Sequence, residues 1–194
     1  VNAVAAGRVL VVVLAVLVLG GCASTQRRGE QALYAGQYND AIHLFQAVLA
    51  EEPERLEARL GLGIALYKAG ALPDAAVTLD EVLARAPAEG AALLYRGLVA
   101  LQQGEDAAAE ERLTRFREVA GIARFAAQLD RALRVLRGGE VSAAMREFIA
   151  TSLEDAVRSA REVQEARLAA QRAYHLSAFP PVRCVPTRRG WVCY

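Results

Sequence analysis

The chain is poor in several residue types, and each scarcity closes a class of function. It has a single lysine, Lys68, against 22 arginines, two histidines, one methionine and three cysteines in 194 residues. Neither His43 nor His175 stands in sequence beside a nucleophile with an orienting carboxylate, as acyl transfer would require. No Gly-rich phosphate loop follows a strand. The acidic pairs Glu51 with Glu52, Glu110 with Glu111 and Glu154 with Asp155 are sequence neighbours, about 100° apart on a helix, and read as solvated charges rather than acid and base partners. The chain is therefore predicted not to be an enzyme and to need no cofactor or metal. A charge excess of one sign is also missing. Beyond residue 21 there are 22 basic and 22 acidic side chains, interspersed. Nucleic acid, which demands a clustered positive field, is excluded as a partner.

A long hydrophobic run is absent too. Val9 to Leu19 is apolar throughout but only eleven residues long, whereas a membrane-crossing helix needs about 20. With Arg8 before it and Gly20 and Gly21 after it, the run has the anatomy of a secretory signal. Leu19-Gly20-Gly21-Cys22 resembles the lipobox of bacterial lipoproteins. That resemblance implies cleavage after residue 21, a diacylglycerol thioether and acyl chain on Cys22, and attachment to a membrane. Ala23 and Ser24, with no Asp directly after the cysteine, resemble lipoproteins sent to the outer membrane, facing the periplasm. The remaining cysteines, Cys184 and Cys193, are predicted to form a disulfide, as paired thiols of exported proteins do.

What the chain has in abundance is helix-forming Ala, Leu, Glu and Arg, repeated with a fixed period. Gly36, Gly70, Gly104 and Gly138 recur every 34 residues. So do Ala41, Ala75, Ala109 and Ala143, and Phe45, Leu79 and Leu113, while Pro53 and Pro87 close the unit. In LEARLGLGIALYKAG, residues 56–70, a helix ends at a glycine able to adopt the left-handed conformation. Pro73 suits the start of the next helix, DAAVTLDEVLARAP, and Pro87 stops it. Gly63 and Ala75 are small where the two helices cross, and Leu66, Leu79 and Val82 fill the space between. Such a hairpin cannot bury its faces alone, so its neighbours must stack on it.

This pattern resembles the tetratricopeptide repeat, a 34-residue helix-turn-helix with small residues at its eighth and twentieth positions. The reading is all-α: a short solenoid of three hairpins, 22–55, 56–89 and 90–123, then 124–176 as a degenerate repeat and capping helix, and 177–194 as a small disulfide-closed β-hairpin. Gln26 and Arg28 occupy places for large apolar residues, so the first helix is predicted to be short or frayed. In the fourth repeat Phe125, Leu129, Leu133 and Leu136 make a helical stripe despite Arg131 and Arg134. From Val141 the chain is helix-forming to about His175. Thr151 with Glu154 has the form of a capping box, predicting two helices that meet near Ser152.

In tetratricopeptide arrays the first helices line a concave face. The resemblance therefore implies a partner groove of Leu60, Ile64, Tyr67 and Lys68 in repeat two and Leu94, Leu98, Leu101 and Gln102 in repeat three. Its apolar walls suit an amphipathic helix or apolar peptide. Chaperone-binding members clamp a terminal carboxylate with Lys and Asn; Leu60 and Ile64 stand at those places, which argues against that role. The expectation is an envelope scaffold for a protein partner. The alternative is a structural lipoprotein that self-associates as a homodimer through 141–176, with its groove filled by its own C-terminal helix.

Overall fold

The computed structural model describes residues 24–120, 123–178, 184–187 and 190–193. The predicted signal peptide 1–21 and the predicted lipid site Cys22 lie outside the described residues. Eight helices are described: α1 (24–34), α2 (Tyr38–Glu51), α3 (Leu56–Lys68), α4 (Leu72–Arg85), α5 (Gly90–Gln103), α6 (Asp106–Ala120), α7 (Ala123–Arg137) and α8 (Ala143–Ala178). Two strands, β1 (Cys184–Thr187) and β2 (Gly190–Cys193), follow. No helix among the described residues is long and apolar enough to cross a membrane. The chain divides into two units at Thr151 and Ser152.

In the first unit the helices pack in chain order from α2 to α7, and α3 also touches α5. The period is visible in the backbone. Helices α2, α4 and α6 begin at 38, 72 and 106. At the hairpin turns Gly36, Gly70 and Gly104 have φ of 75°, 81° and 80°. The amide after each glycine donates to a carbonyl five residues back: Gln37 to Ala32, Ala71 to Leu66 and Glu105 to Ala100, each at 2.9 Å. This is the hydrogen-bonded closure that a left-handed glycine permits. Pro73 occupies the first turn of α4, where its missing N–H costs nothing.

The core repeats with the same period. Ala41, Ala75 and Ala109 are fully buried, as are Phe45, Leu79 and Leu113. Each large residue of α2, α4 and α6 presses on a glycine of the preceding helix. A Cβ on Gly29 would lie 2.9 Å from the Phe45 ring, one on Gly63 2.8 Å from Leu79, and one on Gly97 2.9 Å from Leu113. The Phe45 ring is also pinned from its other side, since a Cβ on Gly61 would lie 2.5 Å from it. Helix α1 is helical throughout 24–34 although Gln26 and Arg28 stand at places for large apolar residues, and residues 22 and 23 lie outside the described residues. Gly29 gives the Phe45 ring a flat seat, and Gln26 is buried and donates to Glu30 at 2.8 Å.

The fourth repeat departs from the period. Gly138 does not take the left-handed conformation; Gly139 has a positive φ instead, at 125°. Ser142 then caps α8, its Oγ accepting from the Met145 amide at 3.3 Å, so this helix starts three residues later than the period requires. Leu129, Leu133 and Leu136 are buried as the stripe in α7 predicts; the side chain of Phe125 lies outside the described residues. Helix α8 runs unbroken through Thr151 and Glu154. The capping box predicted there does not form, because no glycine or proline interrupts a run of strong helix formers.

In the second unit Leu153 is buried and Ala156, Val157, Ala160 and Val163 are half-buried, whereas every residue from 165 to 174 is exposed. Strands β1 and β2 pair antiparallel, with Cys184 opposite Cys193 in the Cα register. Only this strand pairing is described: residues 188–189, which would make the turn, lie outside the described residues, and the predicted disulfide closure is not shown.

Candidate partner-binding face

The residues predicted to line the groove come from α3 and α5, which touch each other. Helix α3 is LEARLGLGIALYK, with Ala58, Gly61, Ala65 and Tyr67 buried among its neighbours. Leu60 and Ile64 are half-buried, as is Lys68. A helix that is apolar almost all round has one side for its hairpin partner and another that still needs cover. Leu60 and Ile64 are on that second side.

Helix α5 differs. Leu94 is 2% exposed and Leu98 and Leu101 are both 0% exposed, so these three are core residues and not an accessible wall. Every residue from Ala92 to Leu101 except Arg96 is buried. The groove offered to solvent is therefore smaller than the sequence predicts: Leu60, Ile64, Lys68 and the exposed Gln102. Sequence patterning failed here because an interior helix and a groove-lining helix are both apolar over most of their circumference.

The polar members of the set are joined. Gln102 Nε2 donates to the Tyr67 hydroxyl at 3.3 Å. The Tyr67 ring meets Tyr95 edge to face with centroids 5.5 Å apart, and Lys68 Nζ is 5.8 Å from the Tyr67 centroid. The sequence had not marked Tyr95. Its signal was a tyrosine 34 residues after Gly61, at the place where one helix stacks on the previous hairpin.

Charge on this unit is organised around arginine. Arg96 donates to Asp80 at 3.0 Å and approaches Glu105 at 3.9 Å, linking α5 to α4 and to the turn before α6. Arg59 pairs with Glu81. Arg146 makes a two-pronged contact with Asp106, Nε to Oδ1 at 2.8 Å and Nη2 to Oδ2 at 2.7 Å. That hydrogen bonding holds the Asp106 carboxyl below the usual carboxylate range and raises the Arg146 guanidinium further. His43 is exposed on α2, as its place predicts. An open depression at the first hairpin turn, bordered by Tyr38, Asp40 and Lys68, is shallow and polar.

Two family models, both described as tetratricopeptide repeat, match residues 32–96 and 74–120. No curated protein matches the chain in sequence. Among solved structures, the TPR2B domain of yeast Sti1 in its pHsp70 complex is similar with a TM-score of 0.54 at 17% identity, covering 60% of this chain and 96% of that one. The first TPR domain of the human RPAP3 protein is similar with a TM-score of 0.53 at 14% identity, covering 69% and 95%. The family-model matches fall on helices whose starts, turns and wedges repeat every 34 residues. Residues 32–120 are therefore tetratricopeptide repeats, a fold that serves as a protein-interaction scaffold.

Proposed function

We propose that this protein is a lipid-anchored scaffold of the cell envelope, held through Cys22 to the outer membrane, facing the periplasm and binding a protein partner during assembly of an envelope complex. The carrying observation is the pair Leu60 and Ile64, apolar and only half-buried on the first helix of a repeat whose family mediates protein contacts. An amphipathic helix or apolar peptide laid there would cover them, and Lys68 and Gln102 would supply the polar rim. A Cys184 to Cys193 disulfide closing the terminal hairpin belongs to the same reading, supported by their opposed places in the strand register. Intact mass before and after reduction and alkylation tests it, since alkylation of both thiols without prior reduction would exclude the bond.

The test of the groove is site-specific photocrosslinking in intact envelopes. A crosslinker at Ile64 should trap one discrete partner, and the same group at Val77, 62% exposed on α4, should not. Leu60→Arg should abolish the Ile64 adduct without unfolding the chain. Equal adducts from both sites would end this reading. Leu98→Arg is unsuitable as a control, because Leu98 is fully buried and the charge would break the core.

A second reading, self-association through 141–176, is favoured by the exposed run 165–174, which presents Leu168 and Tyr174 at 41% and 68% exposure. Light scattering separates the two: a dimer dispersed by Leu168→Glu would support self-association.

A further inference from the structure

In an array of stacked hairpins each first helix has a face that receives the hairpin before it. In repeat two that face is Ala58, Gly61 and Ala65, and in repeat three Ala92, Tyr95 and Val99, all buried. The same places in α1, one period earlier, are Ser24, Arg27 and Gln31, all exposed. At 100° per residue, Arg28 and Tyr34 flank that face on either side, Tyr34 one period before the groove-rim Lys68, and both are exposed, Tyr34 at 72%. A terminal repeat must make this face polar to meet water. That requirement does not select cations, an aromatic and no carboxylate. Glu30, the one acid of α1, is exposed about 40° beyond Tyr34 on the side away from Arg28, and accepts from Gln26.

The described part of α1 starts at Ser24, two residues after Cys22 in sequence. Two residues reach at most about 7 Å, which is about the thickness of one headgroup layer. An acyl group on Cys22 would therefore hold the start of α1 against the bilayer with almost no linker. We propose that the outer face of α1, through Arg27, Arg28, Gln31 and Tyr34, lies flat on the anionic phospholipid headgroups of the membrane that holds Cys22. This inference rests on the lipid-anchor reading. Arginine forks bind phosphate oxygens in two-pronged fashion, and a tyrosine places an apolar ring and a polar hydroxyl at the same interface. The array would then rest end-on against the membrane, with its first hairpin as the base.

Tyr34 discriminates, because it is at the far end of the stripe, about 15 Å along the axis from the start of the helix. The full chain is produced with its signal, as a Tyr34→Trp, Trp191→Phe variant, and its mass gives the state of Cys22. It is then reconstituted into vesicles containing phosphatidylglycerol or phosphatidylcholine alone. On anionic vesicles the residue 34 indole should emit at shorter wavelength and be quenched by lipids labelled near the headgroup. Both effects should be lost with Arg27→Glu and Arg28→Glu, exposed changes whose folding is checked by circular dichroism. An unacylated chain overturns the anchor reading and this inference with it. An acylated chain whose indole stays as water-exposed as in detergent-free buffer, or behaves identically on phosphatidylcholine, overturns the inference alone and leaves α1 as a solubilising cap.

Discussion

The seam between α2 and α3 and the seam between α6 and α8 join hairpins by different means. At the first, the Phe45 ring is clamped between Gly29 and Gly61 and excludes water completely. At the second, Glu147 occupies the place, one period on, where Phe45, Leu79 and Leu113 act as wedges, and it is exposed. There Arg146 reaches Asp106 across the turn, its guanidinium against Gly104. Apolar wedging is insensitive to salt and pH; a part-exposed ion pair is not. The array is thus sealed by packing over its first three repeats, and the fourth is attached partly by charge.

Removing the wedge should have the largest effect. Phe45→Ala deletes a fully buried ring that touches two helices, and should cost about 3–5 kcal/mol, read as a fall in the denaturant midpoint. A loss under 1 kcal/mol would show that α1 does not depend on this contact. Gly61→Ala comes next. The added methyl meets a ring with little room to retreat, because even a Cβ on Gly29 would lie 2.9 Å from it. Overpacking of about 1–3 kcal/mol outweighs the helix-propensity gain of about 1 kcal/mol. Phe45→Leu, the residue repeat two carries at that place, should rescue the Gly61→Ala chain, so the two changes should be non-additive in a double-mutant cycle. Gly70→Ala should be smaller again, about 1 kcal/mol, because its Cβ meets nothing within 4 Å and only the left-handed backbone opposes it.

The same contrast explains what could be read in advance. Gly36, Gly70 and Gly104, with Ala41, Ala75 and Ala109, mark turns and crossings by residue types that few other environments demand, so the hairpins were legible from spacing. The fourth repeat reads as degenerate from its sequence, but where its turn falls was not legible: Gly138 keeps the column while Gly139 takes the left-handed turn, and a doubled glycine leaves that choice to packing. Thr151 with Glu154 has a cap's form, yet a cap forms only where the chain leaves the helix, which nothing around Ser152 compels. The groove was half legible. Leu60 and Ile64 remain accessible, whereas Leu94, Leu98 and Leu101 have the same apolar character and are core. Gly61 was missed because its meaning resides in a ring sixteen residues away.

The smallest expected effect tests the charged seam. The Asp106 carboxyl titrates below its ordinary value because Arg146 hydrogen-bonds its ionised form. A carboxylate depressed on folding stabilises the folded state above its unfolded value, near pH 4, and that contribution is lost as pH falls through the lower folded value. The raised Arg146 value works in the opposite sense, its contribution vanishing only as pH rises beyond the ordinary arginine range, so between pH 3 and pH 7 it is fully present and adds no slope. Both groups are part-exposed, with side chains at 27% and 23%, which limits the effect through solvent screening. Asp106→Asn should therefore lower Tm by about 1–3 °C at pH 7 and by less at pH 3. It should also leave the chain less sensitive to salt, while Phe45→Ala should show its full loss at either pH. Equal losses for Asp106→Asn at pH 7 and pH 3 would mean that Asp106 acts at the start of α6 by hydrogen bonding alone, and that the fourth repeat is held by Ile149 and Ala150 rather than by charge.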